Sequence, residues 1–112
     1  SNVVQSVRDS DTAWHCGAKS YKHDKCRNDN SIGVEMCSEK DSKGQYYINE
    51  QTQNKTLEVV QWLMEKYGVP LENVVRHYDV TGKLCPEPFV KSKEKTDCQN
   101  RNGFRQRRKN NI

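Results

Sequence analysis

No run of eighteen apolar residues occurs in this 112-residue chain, so it holds no stretch long enough to cross a bilayer as a helix. No basic stretch followed by an apolar core opens it, and an N-terminal export signal is not expected. Its five cysteines, at positions 16, 26, 37, 85 and 98, include no CxxC pair. That argues against a zinc ribbon, and the odd number argues against a closed disulfide framework. No internal repeat is visible. Apolar residues are scarce at 32%, and the mean hydropathy is -1.12. Such a chain can build one modest core, burying about 65% of its unfolded surface.

The charge is unevenly placed. Residues 91–112 carry eight Lys/Arg against two Asp/Glu, whereas residues 1–90 carry 11 against 13. The expected organisation is therefore a mildly acidic domain over 1–90 and a basic C-terminal tail over 91–112. The tail ends in Arg105-Gln-Arg-Arg-Lys109. A run of that kind binds polyanions such as wall teichoic acid or anionic lipid, or simply lies solvated. A nucleic-acid partner is not expected, because no nucleic-acid fold signature accompanies the charge.

Along the domain, Val3–Arg8 has the composition of a short strand, and Asp9-Ser-Asp-Thr12 is turn chemistry. Residues 17–31, rich in Gly, Lys, Asp, Asn and Ser, read as a long loop. Ile32, Val34 and Met36 alternate with Gly33, Glu35 and Cys37, the period of a half-buried strand. That alternation turns Glu35 away from the core face. A polar turn at Asp41–Gly44 precedes possible strand residues at Tyr46-Tyr-Ile48.

A helix is expected over about 51–67, with Asn49 as N-cap and Glu50 in the first turn. Leu57, Val60, Leu63, Met64 and Tyr67 make its apolar stripe. Gly68 ends the helix and Pro70 prevents its resumption. Val74 and Val75 then begin a strand that delivers His77 at its end. Strand, helix, strand in this order predicts an α/β fold with a mixed central sheet packed by helices.

The run Arg76-His-Tyr-Asp-Val-Thr-Gly-Lys83-Leu-Cys-Pro86 sets an imidazole and a thiol eight residues apart across turn chemistry. Neutral His and Cys thiolate are zinc donors, and a catalytic zinc has three protein ligands with a fourth position open. His77 and Cys85 supply two donors on a loop able to fold back on itself.

Together with Trp14-His15-Cys16-Gly17 and Asn30-Ser-Ile-Gly-Val-Glu35-Met-Cys37, the Tyr67–Phe89 run resembles the zinc-dependent N-acetylmuramoyl-L-alanine amidases of phage endolysins and bacterial autolysins. That family shares its fold with the peptidoglycan-recognition proteins. The resemblance covers roughly residues 3–90. It implies zinc as cofactor, with His77 and Cys85 as metal ligands, Glu35 as acid/base and Lys83 as the group that steadies the oxyanion. It also implies Trp14 and His15 as substrate-binding residues of the cleft. The implied reaction is hydrolysis of the amide between N-acetylmuramic acid and L-alanine in peptidoglycan, and the implied place of action is the bacterial cell wall, reached by phage-type lysis or export.

One departure stands out. The family takes its first zinc ligand from a His on an early strand, and none of the thirteen residues before Trp14 is a His. The chain accordingly reads as N-terminally truncated relative to the family. Three explanations compete: a fragment of a longer gene product, a degenerate prophage remnant, or a chain that completes its sheet and its site by pairing with another copy. The function expected is the amidase, with a catalytically incomplete fragment or peptidoglycan-binding module as the alternative. If Cys85 ligates metal, four cysteines remain, as free thiols or with Cys16 and Cys26 closing a short loop.

Overall fold

The computed structural model describes residues 2–91. The basic tail, apart from Lys91, lies outside them. The described chain holds two short strands, three α-helices and a 3-10 turn: β1 (Glu39–Lys40), β2 (Tyr46–Tyr47), α1 (Glu50–Tyr67), the turn at Leu71–Asn73, α2 (His77–Thr81) and α3 (Pro88–Lys91).

Helix α1 forms for the reasons legible in its sequence. The Asn49 side-chain oxygen accepts from Thr52 N at 2.8 Å, satisfying one of the orphan donors of the first turn. At the other end Gly68 takes the left-handed conformation (φ 64°) and its N–H returns to the Met64 carbonyl. A side chain there would be strained, which is why glycine stops this helix. Of the apolar stripe, Met64 is buried, while Leu57, Val60 and Leu63 are half-buried. Tyr67 departs from the expected core position: it is 45% exposed. Its hydroxyl bonds the Asp9 carboxylate, which also takes Lys66 Nζ at 3.0 Å. These contacts fasten the N-terminal segment to α1 and hold the Asp9 carboxyl below its usual pKa, through Tyr67 first and Lys66 second.

β1 and β2 pair antiparallel, with Glu39 opposite Tyr47 and Lys40 opposite Tyr46. Asp41 builds the turn between them: its Oδ1 accepts from Lys43 N and Gln45 N at 2.8 and 2.9 Å, and Gly44 supplies the positive φ of 75°. Glu39 then joins the hairpin to the helix by accepting from Tyr47 OH and from Nδ2 of the cap residue Asn49. Ile48, just past β2, is buried.

The mixed central sheet is not formed among the described residues, where the hairpin is the one sheet. Val3–Arg8 and Ile32–Cys37 form no strand, and Ile32 and Val34 are 48% and 39% exposed. Val74 and Arg76 have extended backbones, yet no strand is made there, and His77 opens α2 instead of closing a strand. The physical reason is common to all three. A strand exists only where its backbone groups find a ladder, and alternation supplies a face without supplying a partner. The core is correspondingly small: Cys16, Ile48, Met64 and Val80 are its buried apolar residues.

Candidate functional site

The His77–Cys85 loop is shaped by Arg76 and Asp79. Arginine has no acceptor with which to cap a helix. Instead Asp79, the third residue of α2, reaches back to accept from Arg76 N at 2.9 Å and grips the guanidinium through Nη2 and Nε at 2.7 and 3.0 Å. Arg76 Nη1 spans to the Phe89 carbonyl at 2.8 Å, tying α2 to α3. These bonds to Arg76 keep the Asp79 carboxyl ionised to lower pH than usual. Gly82 ends α2 with φ 84°. Tyr78 N then donates to the Cys85 carbonyl at 3.0 Å, closing the loop and bringing the backbone of Cys85 back beside the start of α2.

The 17–31 loop docks on this helix. Lys22 N and His23 N both donate to the Val80 carbonyl, and Lys22 Nζ lies 4.1 Å from the centre of the Tyr78 ring. Asn28 holds the loop's far side, its side-chain oxygen accepting from His15 N and Cys16 N at 3.1 and 2.8 Å. His15 is fixed as firmly: Nδ1 donates to the Ala13 carbonyl at 2.9 Å and Nε2 lies 2.8 Å from Ser31 Oγ. Gly33 packs flush against that ring, since a Cβ on it would stand 2.9 Å from His15 Cγ and Cδ2.

His77 is half-buried. Burial, reinforced by the electrostatic influence of Lys83 and His15, moves its pKa below the usual imidazole value. It is therefore neutral at neutral pH, with a nitrogen lone pair free for a Lewis acid. Lys83 and His15 thus lie within electrostatic range of His77, and the Cys85 backbone returns beside Tyr78. Glu35 is exposed and lies two residues beyond the Gly33 contact with His15. Trp14 is 88% exposed and Lys83 is exposed as well.

His77 and Cys85 fit zinc by donor chemistry, a neutral imidazole and a thiol. In number they fall short: among the described residues no three His, Cys, Asp or Glu side chains gather closely enough to hold a metal ion. Neither Glu35 nor His15 completes the pair.

Residues 1–88 match the family model described as N-acetylmuramoyl-L-alanine amidase. The chain belongs to the N-acetylmuramoyl-L-alanine amidase family. It is 37% identical to the amidase CwlL of Bacillus licheniformis over 75% of this chain and 23% of that protein. It is 44% identical to the amidase BlyA of Bacillus subtilis (strain 168) over 63% of this chain and 19% of the relative. A probable N-acetylmuramoyl-L-alanine amidase of Bacillus licheniformis is 45% identical over 57% of this chain and 17% of its own length. The chain spans about a fifth of the length of these curated relatives. No solved structure matches it.

Sequence reading missed the role of Arg76 and Asp79 in shaping this amidase-family loop. The signal was present in the Arg-His-Tyr-Asp spacing, an acidic residue at the third helical position, which is where a side chain reaches back to a cap. It is hidden where a strand is expected up to His77 and a loop after it, because neither has a first helical turn for Asp79 to cap.

Proposed function

We propose that this chain is part of a peptidoglycan amidase that hydrolyses the bond between the lactyl carbonyl of N-acetylmuramic acid and the nitrogen of L-alanine, at the bacterial cell wall. The family membership of residues 1–88 supports the reaction class. The observation that carries the site is the closed His77–Cys85 loop, with its neutral imidazole and its lysine. His77 and Cys85 would hold zinc, with a third ligand and the strands of a mixed sheet supplied from beyond the described residues, either by further chain or by a second copy. Bound there, zinc would supply the Lewis acidity that brings water towards ionisation at neutral pH.

The chain's own residues have distinct tasks in this reading. Glu35 accepts the proton of the attacking water and passes it to the departing amine, which needs hydrogen-bond reach to both. Lys83 offsets the negative charge that develops on the carbonyl oxygen, where a preorganised cation contributes most. Its exposure leaves it free to meet a substrate. Trp14 offers an apolar face to sugar or peptide, and His15, locked by its two hydrogen bonds and packed against Gly33, would line the cleft.

A second reading has one observation in its favour, the shortfall of ligands among the described residues. It makes the chain a module that binds peptidoglycan without cutting it. Two measurements on the full chain separate these: zinc per chain after purification without chelator, and release of soluble stem peptides from purified cell walls. The amidase reading expects near-stoichiometric zinc that falls in Cys85→Ser, and peptide release abolished in Glu35→Gln with zinc retained. Wall binding with neither zinc nor peptide release would establish the module instead.

A further inference from the structure

A cavity of about 340 Å³ lies where the 17–31 loop meets α2, lined by Lys22, His23, Asp24, Lys25, Asn73 and Asp79. Its walls are held by bonds made largely through the backbone. Lys22 N and His23 N donate to the Val80 carbonyl at 2.8 and 3.2 Å, which seats the loop on the helix. The His23 carbonyl accepts from Arg27 Nη1 at 2.9 Å and the Lys25 carbonyl from Asn30 Nδ2 at 2.7 Å. On the opposite wall Asn73 N donates to the Pro70 carbonyl at 3.0 Å.

Two of the lining side chains are already engaged. Asp79 grips Arg76, and Lys22 places its Nζ over the Tyr78 ring while its stem passes Gly82, where a Cβ would stand 3.3 Å from it. Asp24, Lys25 and Asn73, by contrast, make no side-chain hydrogen bond or ion pair among the described residues. His23 has one polar atom to offer. Its Nδ1 accepts from Lys25 N and Cys26 N at 3.1 and 3.0 Å, so the ring hydrogen sits on Nε2 and makes that nitrogen a donor.

We propose that this cavity binds a small zwitterion, a molecule whose carboxylate and ammonium groups lie one or two residues apart, as in a free amino acid or a dipeptide. Lys25 and the His23 Nε2–H receive the carboxylate, Asp24 receives the ammonium, and the Asn73 amide meets the polar atoms between them. Charge decides the class. A simple anion would be set beside Asp24 and Asp79, and a simple cation beside Lys22 and Lys25, so a ligand of both signs is the one that escapes like-charge repulsion. No apolar side chain lines the cavity, and its volume is at the small end for ligand sites. His77 and Asp79, two residues apart on α2, point about 200° from each other around the helix. The cavity therefore belongs to the other side of α2 from the imidazole, and its occupation depends neither on zinc nor on the amidase reading.

The test titrates the full chain with alanylalanine and follows backbone amides by two-dimensional NMR. Expected are saturable shifts at residues 22–25 and 73, with a Kd of about 1–10 mM. N-acetyl-alanylalanine and alanylalanine amide, each lacking one charge, should bind at least about tenfold more weakly. Asp24→Asn should weaken alanylalanine by the same factor and leave the N-acetyl form unaffected, and Lys25→Gln should do the same for the amide form. Both positions are exposed and their side chains hold nothing in the fold. Alanine as a second probe tells a free amino acid from a peptide as occupant. The proposal is overturned by shifts that do not saturate, by capped peptides binding as well as the zwitterion, by sodium acetate reproducing the shifts at equal concentration, or by both variants binding alanylalanine unchanged.

Discussion

Replacing Asp79 with alanine removes three hydrogen bonds at once, the one from Arg76 N and two from the Arg76 guanidinium. The first is a helix-terminus bond of the kind worth about 1 kcal/mol. The charged fork is partly solvated, with side chains 25% and 34% exposed, so screening places it near the surface-pair value of about 0.5–1 kcal/mol. Their loss sums to about 1.5–2 kcal/mol, which for a domain of this size lowers the thermal midpoint by about 8–12 °C. Asp79→Asn keeps an acceptor for Arg76 N but loses the charge, and should fall by about half as much.

The pH dependence follows from the lowered Asp79 pKa, caused first by its hydrogen bond from Arg76. A carboxyl depressed in the folded state binds fewer protons there than in the unfolded chain. Its stabilisation is complete above the ordinary carboxylate pKa and is lost as pH falls through the depressed one. Thermal unfolding followed by circular dichroism should therefore show the full gap between wild type and Asp79→Ala at about pH 7, shrinking at about pH 2. A gap below about 2 °C at neutral pH, or one unchanged in acid, would refute the reasoning that this clamp organises α2.

Two further outcomes are expected. Met64→Ala opens a cavity in a core that holds four buried apolar residues among the described ones and should cost about 2–3 kcal/mol in denaturant unfolding, whereas equal stability would show that this residue does not anchor α1. Gly33→Ala places a Cβ 2.9 Å from a His15 ring already held by Ala13 and Ser31, so stability should fall by about 1–2 kcal/mol with shifted His15 ring resonances, and unchanged resonances would show that the contact is loose.

Helix α1 was legible because all its information is local. Asn49, Glu50, the apolar spacing and Gly68 each act within a turn or two of chain, and the helix runs Glu50–Tyr67 much as they predict. The hairpin was legible in part, through Asp41, Gly44 and the tyrosines that became β2. Ile32–Cys37 and Val74–Val75 were misread for one reason. Alternation and β-branching record a preference for extended backbone, whereas a strand also needs a partner elsewhere in space.

The site divides along the same line. By itself the sequence determined the family and supplied the residues proposed as donors, acid and lysine, because residue type and spacing are properties of the chain. Tertiary structure alone decided that Tyr78 closes onto Cys85, that Gly33 leaves room for His15, and that Asn28 holds both His15 and Cys16. Those facts depend on how the 17–31 loop folds back onto α2, through hydrogen bonds such as Lys22 N to the Val80 carbonyl that span tens of residues. Packing of segments distant in sequence sets such contacts, and local pattern does not encode them.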